Sequence, residues 1–98
     1  MIIIAGTLSV NADDRDAVLE AAKAAMAGTS QEEGNIEYVM SPDVNDPSTI
    51  RLFEMWESAA NLAGHMGTDH MKDFGRATKG MFTGRSIKMY EIGEIKDL

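Results

Sequence analysis

The 98-residue sequence predicts a single α+β domain, and three observations carry that prediction. Segments rich in β-branched and apolar residues alternate with runs dense in helix formers, in the order β-α-β-β-α-α-β. Two of the strand segments bear large apolar side chains on both alternating faces. No Pro/Gly/Ser-rich linker, internal repeat or low-complexity tract divides residues 1–98.

The first strand is Ile2 to Val10, closed by the polar run N-A-D-D. A helix is expected from about Asp13 to Ala27. Asn11 or Asp13 would cap it, acidic residues fill its first turn, and Gly28 would stop it. Its apolar stripe is Val18, Ala21, Ala22, Ala25 and Met26. The polar turn T-S-Q-E-E-G-N leads into a strand from Ile36 to Met40. After it, S-P-D-V-N-D-P-S has the chemistry of a turn joining it to a third strand, Ile50 to Trp56. Ser58 would cap a short helix, Ala59 to Met66, which Gly67 interrupts. Thr68 would cap the next, about Asp69 to Lys79, with Met71, Phe74 and Thr78 on one face. The last strand is expected from about Arg85 to Ile95. This order is close to the ferredoxin-like pattern of a four-stranded sheet with helices on one face.

Alternation along the third strand puts Ile50, Leu52, Glu54 and Trp56 on one side and Arg51, Phe53, Met55 and Glu57 on the other. Large apolar groups on both sides predict a sheet covered twice. Helices cover one side, and with four strands in the chain a second copy is the expected cover for the other. Dimerisation would also help a chain of this size, which buries only roughly 60 to 70% of its unfolded surface.

Composition narrows the function classes. A hydrophobic content of 44% is that of a globular chain. Sixteen acidic against nine basic residues, a net charge of -7, oppose a nucleic acid or an anionic membrane as partner. The absence of cysteine removes disulfides, thiolate nucleophiles and Cys-ligated metals. The apolar N-terminus lacks a basic leader and is far shorter than the ~20 residues of a membrane span, so a cytoplasmic protein is expected.

Phe53 to Phe74 gathers the only tryptophan and both histidines of the chain, with Glu54 inside a strand. Within it runs E-x-W-E-S-x3-L-x2-H-x4-H-M-K-x-F, preceded by Q-E-E-G-N-I-E-Y. These motifs resemble the antibiotic biosynthesis monooxygenase domain family, and the quinol-monooxygenase-like branch within it, over nearly the whole chain. The resemblance implies a dimeric α+β barrel in which two open sheet faces meet, with a mostly apolar cavity in each subunit between sheet and helices. Some members of the family oxygenate polycyclic phenols or quinols with molecular oxygen and no metal, flavin or other prosthetic group. Others degrade haem or isomerise a small phosphorylated sugar-like signal.

Oxygenation without a cofactor requires that the substrate be ionised, because dioxygen reacts with an electron-rich anion by one-electron transfer; a base, donors for the oxyanion and a dry cavity suffice. Imidazole ordinarily titrates near ~6.5, which makes His65 and His70 the expected bases. Trp56 would stack on a flat ring, Tyr38 offers a phenol, and Arg51 or Arg85 would hold an anionic group. Glu54, Leu62, Met66 and Phe74 complete the expected binding residues. Eight methionines suit adaptable packing or a pocket for variable flat ligands.

No cofactor or metal is expected. His65 and His70 are five residues apart, roughly 140° around a continuous helix, and do not share a face as ligands at i and i+4 would; the break at Gly67 between them could bring them together but does not require it. Haem degradation is disfavoured, because Phe74 and Gly75 stand where those relatives present a ligating histidine, and His65 where they have a tryptophan. The expected function is an oxidoreductase acting on a quinol, phenol or other flat aromatic, with dioxygen as co-substrate. Alternatives are an isomerase or lyase on a small polar metabolite and a non-catalytic ligand-binding dimer.

Overall fold

A computed structural model describes all 98 residues. The elements are β1 (Ile2–Val10), α1 (Arg15–Thr29), β2 (Asn35–Pro42), β3 (Thr49–Trp56), α2 (Ala59–His65), α3 (Asp69–Ala77) and β4 (Phe82–Glu91). All neighbouring strands run antiparallel in the order β2-β3-β1-β4, and the helices lie on one face, so the fold is α+β and ferredoxin-like. No helix is long and apolar enough to cross a membrane.

The alternation read from β3 holds. Ile50, Leu52, Glu54 and Trp56 are buried beneath the helices, while Arg51 and Glu57 are exposed and Phe53 and Met55 half-buried. Register carries this division across the sheet: Tyr38 pairs with Glu54, and Glu54 with Ile4, so all three face the helices. The core joins Val18, Ala22 and Ala25 of α1 to Val10, Met40, Ile50 and Leu52 of the sheet. On the other face Ile3, Ala5, Phe53 and Met55 form an apolar band with no helix over it.

Several boundaries differ from expectation, each for a local reason. A single 3-10 turn, Ala12–Asp14, precedes α1, and α1 passes through Gly28 to Thr29. Gly28 serves a close approach and not a stop: a Cβ there would lie 2.6 Å from Cγ of His70. Positive φ falls instead at Gly34, +81°, where the chain turns into β2. Helix α3 ends at Ala77, two residues early, where the Thr78 hydroxyl donates to the Phe74 carbonyl at 2.8 Å. Strand β4 begins at Phe82 and ends at Glu91 because its ladder partner β1 runs only from Ile2 to Val10.

Gly6 lies in the middle of β1, where a Cβ would sit 2.0 Å from the Ser86 carbonyl oxygen on β4. Glycine inside a strand marks such a close backbone approach. The Gly6→Ala substitution is therefore expected to cost about 2 kcal/mol or more and to lower the thermal midpoint by about 8–16 °C. A midpoint within about 3 °C of the wild type in calorimetry would contradict this close packing.

Candidate active site

Three segments bring their polar side chains to one point. The chain leaving α1 continues in hydrogen-bonded turns, Gln31 N–H to the Gly28 carbonyl and Glu32 N–H to that of Thr29, at 3.2 and 3.0 Å. Gly34 then packs against α2, where a Cβ would strike the Asn61 side chain at 2.2 Å. Helix α2 is held in place by its Ser58 cap, whose hydroxyl accepts from Asn61 N–H at 3.2 Å. The result is that Glu32, in the loop, faces His65 at the end of α2 and His70 in the first turn of α3.

Oε2 of Glu32 is 2.7 Å from Nδ1 of His65 and 2.8 Å from Nε2 of His70. The Thr68 hydroxyl is 3.2 Å from the same His70 nitrogen and donates to the His65 carbonyl at 2.8 Å. Thr68 was expected to cap α3, yet its side chain makes no cap hydrogen bond and is committed here. These partners assign the protons. Nε2 of His70 faces two oxygens and therefore carries hydrogen, and Glu32 as a carboxylate accepts from both rings. Neutral His65 then holds its hydrogen on Nδ1 and leaves the Nε2 lone pair free.

On that side Nε2 lies toward Glu54, which together with His65 lines a cavity of about 690 Å³ between the sheet and helices α2 and α3. Its wall is apolar, including Leu62, Met66, Met71 and Phe74, apart from the Tyr38 hydroxyl, Glu54, His65 and Arg85. His65 is nearly fully buried and its ring tilts against those of Trp56 and Tyr38, with centroids 4.9 and 5.2 Å away. Nε2 of His65 lies 4.0 Å from Oε1 of Glu54, beyond hydrogen-bond reach. Oε1 instead accepts from the Trp56 indole N–H at 3.0 Å.

The two carboxyl groups are driven apart. Burial raises Glu54 above the ordinary carboxylate range, and the Trp56 hydrogen bond offsets only part of this. Burial also raises Glu32, but the hydrogen bonds from His65 and His70, with their charge, outweigh it and the net shift is downward. The Tyr38 phenol is raised by burial and by the charges of Glu54 and Glu32.

Of the residues singled out in the sequence, Tyr38, Glu54, Leu62, His65, Met66 and Phe74 line the cavity. Trp56 stands behind that wall, fully buried, and meets the cavity only through Glu54 and His65. His70 also stands behind it, against Glu32. Arg51 is on the opposite face of the sheet, beside a shallow hollow of about 270 Å³, with its guanidinium 2.9 Å from Asp43. Glu32 escaped sequence reading because Q-E-E-G reads as a solvated turn. The signal was its place in the Q-E-E-G-N-I-E-Y segment.

Glu32, His65 and His70 also offer three donor atoms within 4.8 Å of one another, a set that suits a borderline transition ion more than magnesium or calcium. Here the two contacts to Oε2 have hydrogen-bond lengths.

A carboxyl held low in the folded state adds stability that is present above its unfolded value, 4.5, and lost as pH falls through the lower folded value. Glu32→Gln is accordingly expected to be less stable than wild type at pH 7, with the gap closing as pH falls below about 4.5. Urea denaturation from pH 7 to pH 3 measures it, and a gap constant over that range would contradict the pairing.

Comparison with known proteins bears on what such a site belongs to. The family model described as antibiotic biosynthesis monooxygenase matches residues 1–77. Over 98 residues, 99% of this chain and 67% of the relative, the chain is 24% identical to an uncharacterized protein of Synechocystis. A 47-residue stretch is 38% identical to the probable quinol monooxygenase YgiN of Escherichia coli, spanning 48% of this chain and less than half, 45%, of that protein. Among solved structures, one from Deinococcus radiodurans, named as a candidate antibiotic biosynthesis monooxygenase, is 26% identical with a TM-score of 0.87, covering 100% of this chain and 98% of that one. Another so named, from Nitrosomonas europaea, shares the fold at 22% identity and TM-score 0.87, covering 93% and 97%. With the family model matched over most of its length, the chain belongs to the antibiotic biosynthesis monooxygenase family.

Proposed function

We propose that the protein is a monooxygenase that ionises a quinol, phenol or other flat aromatic with His65 and lets the anion react directly with dioxygen. The observation that carries this reading is the unbonded Nε2 of a buried histidine, held by Glu32 from behind, that lines an apolar cavity large enough for a fused-ring molecule. His65 takes the phenolic proton, and Glu32 stabilises the imidazolium, the part an orienting carboxylate plays behind any histidine base. The substrate anion passes one electron to dioxygen. Recombination of the radical pair forms a C–O bond, and loss of water gives product, so that a quinol and dioxygen yield a hydroxyquinone and water. The apolar wall keeps water from the radical pair. His70 supports the site through Glu32, and Trp56 through Glu54 and the His65 ring.

In the same proposal the apolar band of Ile3, Ala5, Phe53 and Met55 is covered by the sheet of a second copy, giving a homodimeric barrel in the cytoplasm. Sedimentation is expected to give a dimer, and Phe53→Asp, which sets a charge in that band, to shift it toward monomer. A wild-type monomer at micromolar concentration would contradict this part of the reading.

The chemistry is tested with an oxygen electrode on hydroquinones, naphthoquinols and anthrones in the presence of a chelator. Uptake above the autoxidation rate is expected for at least one class, with a loss of about 100-fold or more in His65→Gln. Uptake at the background rate across the whole panel would overturn the oxygenase reading.

A further inference from the structure

Glu32, His65 and His70 come from a loop and two helices, yet their polar atoms meet at one point behind the cavity wall. Oε2 of Glu32, Nδ1 of His65 and Nε2 of His70 lie within 4.8 Å of one another, and both nitrogens address the same oxygen, at 2.7 and 2.8 Å. A hydrogen on each ring accounts for those spacings. Two imidazole nitrogens and a carboxylate oxygen are also a donor set that zinc takes, with bonds of about 2.0–2.2 Å and neighbouring donors roughly 3.3 Å apart around a tetrahedron. Widening the two contacts by about 0.5 Å opens that space.

The surroundings fit a metal site in two further respects. A histidine that binds a metal through one nitrogen turns the hydrogen on its other nitrogen toward a carboxylate or carbonyl. Nε2 of His65 has Oε1 of Glu54 4.0 Å away, about 1 Å short of such a bond. Glu32 and His70 keep 13% and 24% of their side-chain surface in solvent while His65 keeps 2%, so an ion reaches the donors from the outer side without crossing the cavity. These are the only two histidines of the chain, and it has no cysteine, so no second set built on them competes.

We infer that Glu32, His65 and His70 bind a zinc-class divalent ion, and that occupancy of this site switches off the His65 base. Nδ1 of His65 and Nε2 of His70 give their lone pairs to the ion, and a Glu32 oxygen is the third ligand. A water beside the Thr68 hydroxyl, which is 3.2 Å from the His70 nitrogen, completes the shell. The hydrogen of neutral His65 leaves Nδ1 for Nε2 and that of His70 leaves Nε2 for Nδ1, exchanged through solvent with no net gain or loss of protons. His65 then presents an N–H to Glu54 in place of a lone pair and cannot take a proton from a substrate. Magnesium and calcium prefer oxygen donors and do not compete. The ligation stands by itself, while its effect on turnover rests on His65 as the base proposed above.

The test starts from tag-free protein stripped with a chelator and titrated with Co2+ and Zn2+. Visible bands of tetrahedral Co2+, and calorimetric binding of one Zn2+ per chain, are expected, with no binding of Mg2+. His70→Ala and Glu32→Ala are each expected to weaken Zn2+ binding by at least about 10-fold. Zn2+ is also expected to raise the thermal midpoint of the wild type, a readout that needs no variant to fold. Proton–nitrogen correlation of the zinc-loaded protein is expected to show hydrogen on Nε2 of His65, and oxygen uptake with an anthrone to fall at least about 10-fold and return on chelation. No binding to folded wild type at about 1 mM Zn2+ overturns the inference, as does binding that both variants leave unchanged or hydrogen that stays on Nδ1 of the loaded protein. Binding without uptake in either form removes the oxygenase and leaves the metal site standing; uptake that saturating Zn2+ leaves unchanged overturns the switch.

Discussion

One carboxylate between two imidazoles holds the site together. Glu32 is 33 and 38 residues from the histidines it meets, and no ladder hydrogen bond joins its loop to α2 or α3 at that point. In a mostly buried setting an unpaired carboxylate or imidazole N–H costs more than a made bond returns, so the three groups enforce one another. Small neighbours make the convergence possible. Gly28 lets the His70 ring lie against α1, and Gly34 lets the Glu32 loop press on Asn61 at the start of α2. The consequence is orientation: with one nitrogen of His65 spent on Glu32, the other is left unbonded on the side of Glu54 and the cavity that both residues line.

The sheet supplies the rest of the geometry through its two-residue period. Tyr38, Glu54 and Ile4 stand in one row across β2, β3 and β1, all beneath the helices, because register places them opposite one another. The same period sends Arg51 and Phe53 to the far side. Trp56, two residues farther along β3 at the end of the strand, is fully buried against His65, and its indole N–H donates to the Glu54 carboxyl. The opposite environments of Glu32 and Glu54 follow from this layout: one carboxyl pairs directly with two imidazoles, while the other is more deeply buried, accepts from the Trp56 indole and has His65 only at 4.0 Å.

Much of this was legible in the sequence, and what was not has physical causes. Strand β1 was read to the residue because β-branched side chains fill it and N-A-D-D closes it. The sidedness of β3 was readable since alternation is a property of the backbone and not of packing. Ends were less so. Gly28 looks like a helix stop, yet it is needed for the approach of His70, a contact 42 positions away in the chain. Strand β4 takes its limits from the length of β1, which local composition does not encode. The motif around His65 located the cavity, but Glu32 lay in a polar turn with no local pattern to mark it. Arg51 was named for its charge alone, before the sheet assigned it to the other face with Asp43 as partner.

Base chemistry at this site requires the hydrogen of neutral His65 to sit on Nδ1. Long-range proton–nitrogen correlation of uniformly labelled protein reads that tautomer directly. Hydrogen on Nδ1, with an unprotonated Nε2 that moves toward a mixed tautomer when Glu32 becomes Gln, is the predicted result. Hydrogen on Nε2 in the wild type would mean that no lone pair is left on the side of Glu54 and the cavity, and the site as described would have no base.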